Sequence, residues 1–256
     1  MAILPLEAPQ DGHGGGGPVR DALYVIARAP RAGFAKTRLG RTIGHERAVA
    51  LYRAFLRDLA ARFSDSRFPP GWYVTPPDAW PEVSALTGGS GRVLFQGDGD
   101  LTERQRELFR GAKARGEERT VLIAADSPHL GVGVVEEAFR RLDGDDLVFG
   151  PTFDGGYYLI GMRGGGPCDV LKGVPMSVGT ELDGITARAR LSGLSVGLLE
   201  TTFDVDVVED LEHLRPLALE RADLRATRDA LESLGLMGRE TQPAGGRDLA
   251  AGRGRS

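Results

Sequence analysis

At 256 residues the chain is long enough for one sizeable α/β domain, and a division into two full domains would leave both small. Its 32 Lys plus Arg stand against 36 Asp plus Glu, a formal charge of −4, so no global field draws it to nucleic acid or an anionic membrane and any anion site must be local. A single cysteine, Cys168, excludes an internal disulfide and a Cys-rich metal cluster, as expected of a cytoplasmic protein. No apolar run approaches the roughly 20 residues that span a bilayer, and the N-terminus lacks a signal peptide's basic start and long apolar core.

The glycine-rich stretch DGHGGGGP (11–18) has nothing to bury against its backbone entropy, and GRETQPAGGRDLAAGRGRS (238–256) shares its character. The expected organisation is a disordered tail over 1–20, one α/β domain over 21–237 and a second disordered tail over 238–256. ALYVIA (22–27) is a short continuous apolar run, the pattern of a parallel strand covered on both faces. In HERAVALYRAFLRDLAARF (45–63), Val49, Tyr52, Phe55, Leu56, Leu59 and Phe63 recur at helical spacing. WYVT (72–75) and RVLF (92–95) read as strands. A helix then opens in LTERQREL, where Thr102 and Gln105 have the spacing of a capping box. VLIAA (121–125) is the most hydrophobic strand, followed by a helix carrying Val134, Val135, Ala138, Phe139 and Leu142. Strands LVFG (147–150) and YYLIG (157–161), a helix near 180–192, the strand SVGLLE (195–200) and helices from about 208 and 225 complete the order. Strands alternate with helices almost throughout, which predicts a three-layer, mostly parallel α/β sheet, with the pair around FDGG as its one antiparallel departure.

In such sheets ligands bind beyond the carboxyl ends of the strands, and four segments fall there. RAPRAGFAKTRL (28–39) gathers Arg28, Arg31, Lys36 and Arg38 around Gly33 after the first strand. These cations and bare backbone N–H groups suit a pyrophosphate, although a solvated basic loop has the same composition. VLIAADSPHL delivers Asp126 to a strand end, where a carboxylate can hold Mg²⁺ or Mn²⁺ or simply cap the next turn. TFDVDVVEDL puts Asp204 and Asp206 on one side of an extended segment, where one can join Asp126 at a metal while the other braces the loop or caps the helix. In FQGDGDLTER, Gly97 and Gly99 permit close approach of a flat ligand, with Asp100 or Arg104 beside it. Of the four histidines only His129 lies near a suspected site, as a substrate contact. FDGG is either a hairpin turn, for which Asp-Gly is a strong signal, or a cleft element in which Asp154 acts as base while Gly155 and Gly156 admit an acceptor.

In their order along the chain, YVIARAPRAGFAKTRLG, QGDGDLTER, LIAADSPHL, LVFGPTFDGGYYLIGM, GVPMSVGT and FDVDVVEDL resemble the DUF2064 group of GT-A-type proteins. That group has the fold of the nucleotide-diphospho-sugar transferases and is often labelled arsenosugar-biosynthesis-type glycosyltransferase. The similarity covers about residues 22–215, and DGGYYLIG is its most specific stretch. It implies a nucleotide-sugar donor, a small-molecule acceptor and a divalent metal. Residue by residue, it implies diphosphate binding at Arg28, Lys36 and Arg38, the metal acid at Asp126, a second ligand at Asp206, and the base beside Gly97 to Leu101. The chain departs from the Asp-x-Asp often found at the metal in GT-A enzymes, having Ala124-Ala125-Asp126 there. Nucleotidyltransferases share the fold, including guanylyltransferases with a similar Lys-x-Arg loop, and an inactive nucleotide-binding module would look the same. The expected activity is therefore glycosyl transfer, with nucleotidyl transfer as the alternative.

Overall fold

The computed structural model describes residues 20–238 except 165 and 177, so both predicted tails lie, apart from their innermost residues, outside the described residues. Seven strands form one sheet in the order β3-β2-β1-β4-β6-β5-β7. They are β1 (Asp21–Arg28), β2 (Gly71–Thr75), β3 (Val93–Phe95), β4 (Arg119–Ala124), β5 (Leu147–Pro151), β6 (Tyr157–Arg163) and β7 (Val196–Leu198). The β1 pairings to β2 and β4 are parallel, as are β2 to β3 and β5 to β7, whereas β6 runs antiparallel to both β4 and β5. The departure from parallel order is thus the strand after FDGG, as its hairpin composition predicts.

The helices are α1 (Thr37–Ile43), α2 (His45–Ser64), α3 (Trp80–Thr87), α4 (Leu101–Ala112), α5 (Val132–Arg141), α6 (Glu181–Leu191), α7 (Leu211–Glu220) and α8 (Arg225–Ser233). Strand alternation divides the core between the two faces of the sheet. Leu23, Val25 and Ala27 of β1 pack with Leu51, Phe55 and Leu59 of α2, with α5, and with Leu214 and Leu231 of α7 and α8. Tyr24 and Tyr73 point the other way, onto Leu108 and Phe109 of α4 and Ile185 and Ala189 of α6. Each face is sealed by helices, which is why β1 and β4 read as continuous apolar runs rather than alternating ones.

Two helices escape the sequence pattern. Seven-residue α1 is too short for a periodic stripe, and eight-residue α3 follows a short 3-10 turn over Pro77–Ala79. The start of α4 also differs from the expected capping box. Its cap is Asp100, whose carboxylate accepts from Glu103 N at 2.9 Å and from Thr102 Oγ1 at 2.7 Å. A short carboxylate at the cap reaches the third helical N–H directly, so Thr102 turns inward as a fully buried helper.

Candidate active site

Where β1 ends, Arg28 N donates to the buried Tyr52 hydroxyl at 3.1 Å, fixing the start of the basic loop. Arg31 turns away to ion pairs with Asp78 and Glu82 and leaves the group. At the other end of the loop Lys36 caps α1 with φ of 51°, a left-handed conformation held by no other non-glycine described residue. That geometry sends its side chain back under the loop, where it is only 3% exposed. Its Nζ lies 2.8 Å from Asp126 Oδ2 and 2.8 Å from Asp206 Oδ1. A sparsely populated backbone state persists only where surrounding contacts hold it, and these two ion pairs supply that hold.

The segment carrying Asp204 and Asp206 is drawn to the end of β4 by Val205 N, which donates to Asp126 O at 3.0 Å. Val205 is fully buried, so the acids on either side of it face one way. Asp210, not either of them, braces the loop, accepting from the backbone N–H of Asp206 at 2.7 Å and of Val207 at 2.8 Å. Asp126, Asp204 and Asp206 consequently form a trio whose carboxylate oxygens lie within 4.8 Å of one another. Burial by itself would lower the Lys36 pKa, but Asp126 and Asp206 outweigh it and hold it above the usual ammonium value. The Lys36 charge in turn holds Asp206 below the ordinary carboxylate range, with Arg38 assisting from 3.1 Å. Asp204 goes the opposite way, raised first by burial and then by its two acidic neighbours. It makes no hydrogen bond or ion pair among the described residues. Three converging carboxylates, one without a protein partner, are a donor set suited to a hard divalent cation.

This trio opens into a cleft of about 1000 Å³ beyond the carboxyl edge of the sheet. Arg28, Lys36, Arg38, Leu101, Asp126, Asp154, Gly156 and Asp206 line it, so most of the charged residues singled out in the sequence meet in one space. Asp204 and Arg104 join them. Gly33, Gly97, Gly99, Asp100, Gly155 and His129 are not part of the lining. Gly33 turns the basic loop, Gly97 N donates to Glu107, and the Gly99 carbonyl accepts from Arg104 Nε. The cap at α4 engages the Asp100 carboxylate that was expected to meet a nucleotide. His129 packs into the protein, stacked on Phe203 with ring centres 4.1 Å apart and bonded to Thr202 Oγ1 at 2.9 Å.

FDGG proves to be both a turn and a cleft wall. Thr152 N donates to Gly156 O, and Asp154 Oδ1 accepts from Thr152 Oγ1 at 2.6 Å and Gly156 N at 3.2 Å. Asp154 Oδ2 makes no hydrogen bond among the described residues, and Asp154 lines the cleft. Gly155 instead lies against the 178–180 loop. Tyr157 lines the cleft after FDGG, and Gln96, Gln105, Val178 and Glu181, which were not anticipated, also line it. Glu181 is the instructive omission, because it directly follows the GVPMSVGT segment, and an acid at a helix start reads as an ordinary dipole partner.

The DUF2064 family model, described as uncharacterized protein conserved in bacteria, matches residues 60–178, a span that includes Asp126 and Asp154. A candidate nucleotide-diphospho-sugar transferase from Desulfovibrio desulfuricans G20 aligns structurally with TM-score 0.76 and 28% identity, over 84% of this chain and 96% of its own. A cytidylyltransferase from Leptospira borgpetersenii aligns with TM-score 0.54 and 13% identity, over 87% of this chain and 98% of its own. For a nucleotidyl transferase from Methanothermobacter the values are 0.51 and 17%, over 80% and 99%. The last two speak to the fold alone. No curated protein matches the chain. The chain thus carries a DUF2064-like segment, which holds one of the three clustered acids and the turn beside them, on an α/β fold like that of the nucleotide-diphospho-sugar transferase neighbour.

Proposed function

We propose that the protein is a metal-dependent glycosyltransferase that moves a sugar from a nucleoside diphosphate donor to a small-molecule acceptor. The observation that carries this reading is the meeting, in one cleft, of the carboxylate trio with Lys36 and Arg38. Asp126 and Asp204, with Asp206 beside them, would hold a divalent cation, which would supply positive charge where the diphosphate departs. Arg28 and Arg38, exposed on the same wall, neutralise its outer oxygens. Asp154 presents a free carboxylate oxygen from a turn braced by Thr152, so it can take the proton of an acceptor hydroxyl. Gln96, Leu101 and Arg104 form the wall on which the nucleoside rests.

Nucleotidyl transfer is the second reading, favoured by the absence of an Asp-x-Asp at Ala124-Ala125-Asp126. The Asp204-Val205-Asp206 pair comes from a remote segment instead. Product analysis with Mn²⁺ and a donor panel separates the two. Released nucleoside diphosphate supports glycosyl transfer, and released pyrophosphate from a nucleoside triphosphate supports the second reading. Asp126→Asn should abolish either activity, by roughly 10²-fold or more, at an unchanged far-UV spectrum. Full turnover by that variant would remove Asp126 from the mechanism.

A further inference from the structure

A second polar cluster lines the cleft from α4, β6 and α6, and the diphosphate chemistry makes no use of it. Glu181 is 4% exposed. Its Oε1 accepts from Val178 N at 2.8 Å, while its Oε2 is buried with no partner. Leaving such an oxygen unpaired is costly, so the position asks for a donor. Gln105, also 4% exposed, uses its Oε1 to accept from the Tyr157 hydroxyl at 2.6 Å, and its amide N–H₂ donates to none of the described residues. Glu181 is near enough to Tyr157 to add to the upward push that burial gives the phenol.

The wall therefore offers one anionic acceptor and one neutral donor, both in a largely dry setting. A phosphate or carboxylate would be repelled by Glu181. An apolar group would leave both partners unsatisfied, and an ammonium group would satisfy Glu181 while leaving the Gln105 amide unmet. A hydroxyl group, at once donor and acceptor, answers both. We propose that Glu181 and Gln105 form a hydroxyl-recognition subsite that takes the polyol part of the substrate, either the donor sugar or a polyhydroxy acceptor. This inference rests on the transferase reading above and adds to it the chemistry that selects the transferred or receiving group.

The test measures calorimetric affinities of UDP, GDP, UDP-glucose and GDP-mannose with Mn²⁺ for the wild type, Glu181→Gln and Gln105→Leu. In parallel, saturation-transfer NMR follows glucose, ribose and glycerol with and without UDP. Glu181→Gln keeps an oxygen for Val178 N, which protects the fold, and melting curves verify this for each variant. If the hydroxyl belongs to the donor, the sugar increases wild-type affinity over the bare diphosphate by about tenfold and Glu181→Gln erases that gain with the diphosphate affinity unchanged. If it belongs to the acceptor, the nucleotide affinities stay level and the variant loses the NMR signal of the free polyol. Sugar and polyol binding equal in variant and wild type would overturn the proposal, as would a wild type that holds neither. In that last case, retained UDP or GDP binding would leave the diphosphate reading standing, and its absence would remove both.

Discussion

Gly155→Ala should destabilise the fold, and the structure says by how much. Gly155 has φ of +89°, where an alanine is disfavoured by about 1 kcal/mol. A Cβ there would also drive into the Gly179 carbonyl, whose carbon lies 2.6 Å from the ideal Cβ position and belongs to backbone that cannot rotate away. Overpacking of that kind costs about 1–3 kcal/mol, giving a sum of about 2–4 kcal/mol. For a chain of this size that is a fall in Tm of roughly 4–16 °C. The neighbouring Gly156 provides the control, because its Cβ would meet only side-chain oxygens of Thr152 at 3.1 Å and Asp154 at 3.4 Å, and its φ is ordinary. Thermal and urea denaturation of Gly155→Ala, Gly156→Ala and wild type give the comparison. A Gly155→Ala protein that melts within 2 °C of wild type, with a raised acceptor KM, would refute the packing argument and return Gly155 to acceptor binding.

Lys36→Met should cost about 2–3 kcal/mol, less than the loss of one partner from a fully buried pair because Asp126 and Asp206 are each about a third exposed, and Mn²⁺ should restore most of it in a melting assay. Failure of Mn²⁺ to stabilise the variant more than wild type would count against the trio as a cation site. Arg38→Ala should weaken nucleoside diphosphates about tenfold or more in calorimetry and free nucleosides hardly at all, and equal losses would contradict a phosphate contact. His129 has its pKa lowered to about 4 by burial, then by Arg221 and Arg62, so the native state stays neutral while the unfolded chain takes up a proton below about 6.5. Its stability contribution is present above that pH and is lost as pH falls from 6.5 through 4, by up to about 3 kcal/mol; urea titrations of His129→Gln should show a flatter pH slope than wild type over this window.

The strands were legible because parallel, doubly covered strands carry their signal in composition, as ALYVIA and VLIAA do, and so was the antiparallel turn, since Asp-Gly needs no tertiary information. The clustered charges were legible through a rule of architecture: cations after β1 and an acid after β4 must meet at the same sheet edge. What the sequence concealed was division of labour among like residues. Asp100, Asp204, Asp206 and Asp210 all precede helices, yet Asp100 and Asp210 brace backbone N–H groups while Asp204 and Asp206 face the cleft. A carboxylate's role depends on which N–H groups the fold brings within about 3 Å, and spacing alone does not determine that. Glu181 was hidden for the same reason, because its buried oxygen is defined by the loop folded over it.

The charge balance explains why the lysine is buried and the arginines are not. Three carboxylates gathered at a strand end repel one another and would repel a diphosphate more strongly still. Lys36, fixed between Asp126 and Asp206, offsets part of that repulsion within the protein and leaves Asp204 as the uncompensated acid. A compact ammonium on a flexible stem suits this interior place, where it approaches two oxygens from different carboxylates at 2.8 Å each. Arg38, whose side chain is 54% exposed, keeps one N–H on Asp206 at 3.1 Å and lines the cleft. The buried cation assembles the acidic site and the exposed ones meet the ligand. A loop written Lys-Thr-Arg achieves this because the left-handed turn at Lys36 sends two cations two residues apart to different depths of one cleft.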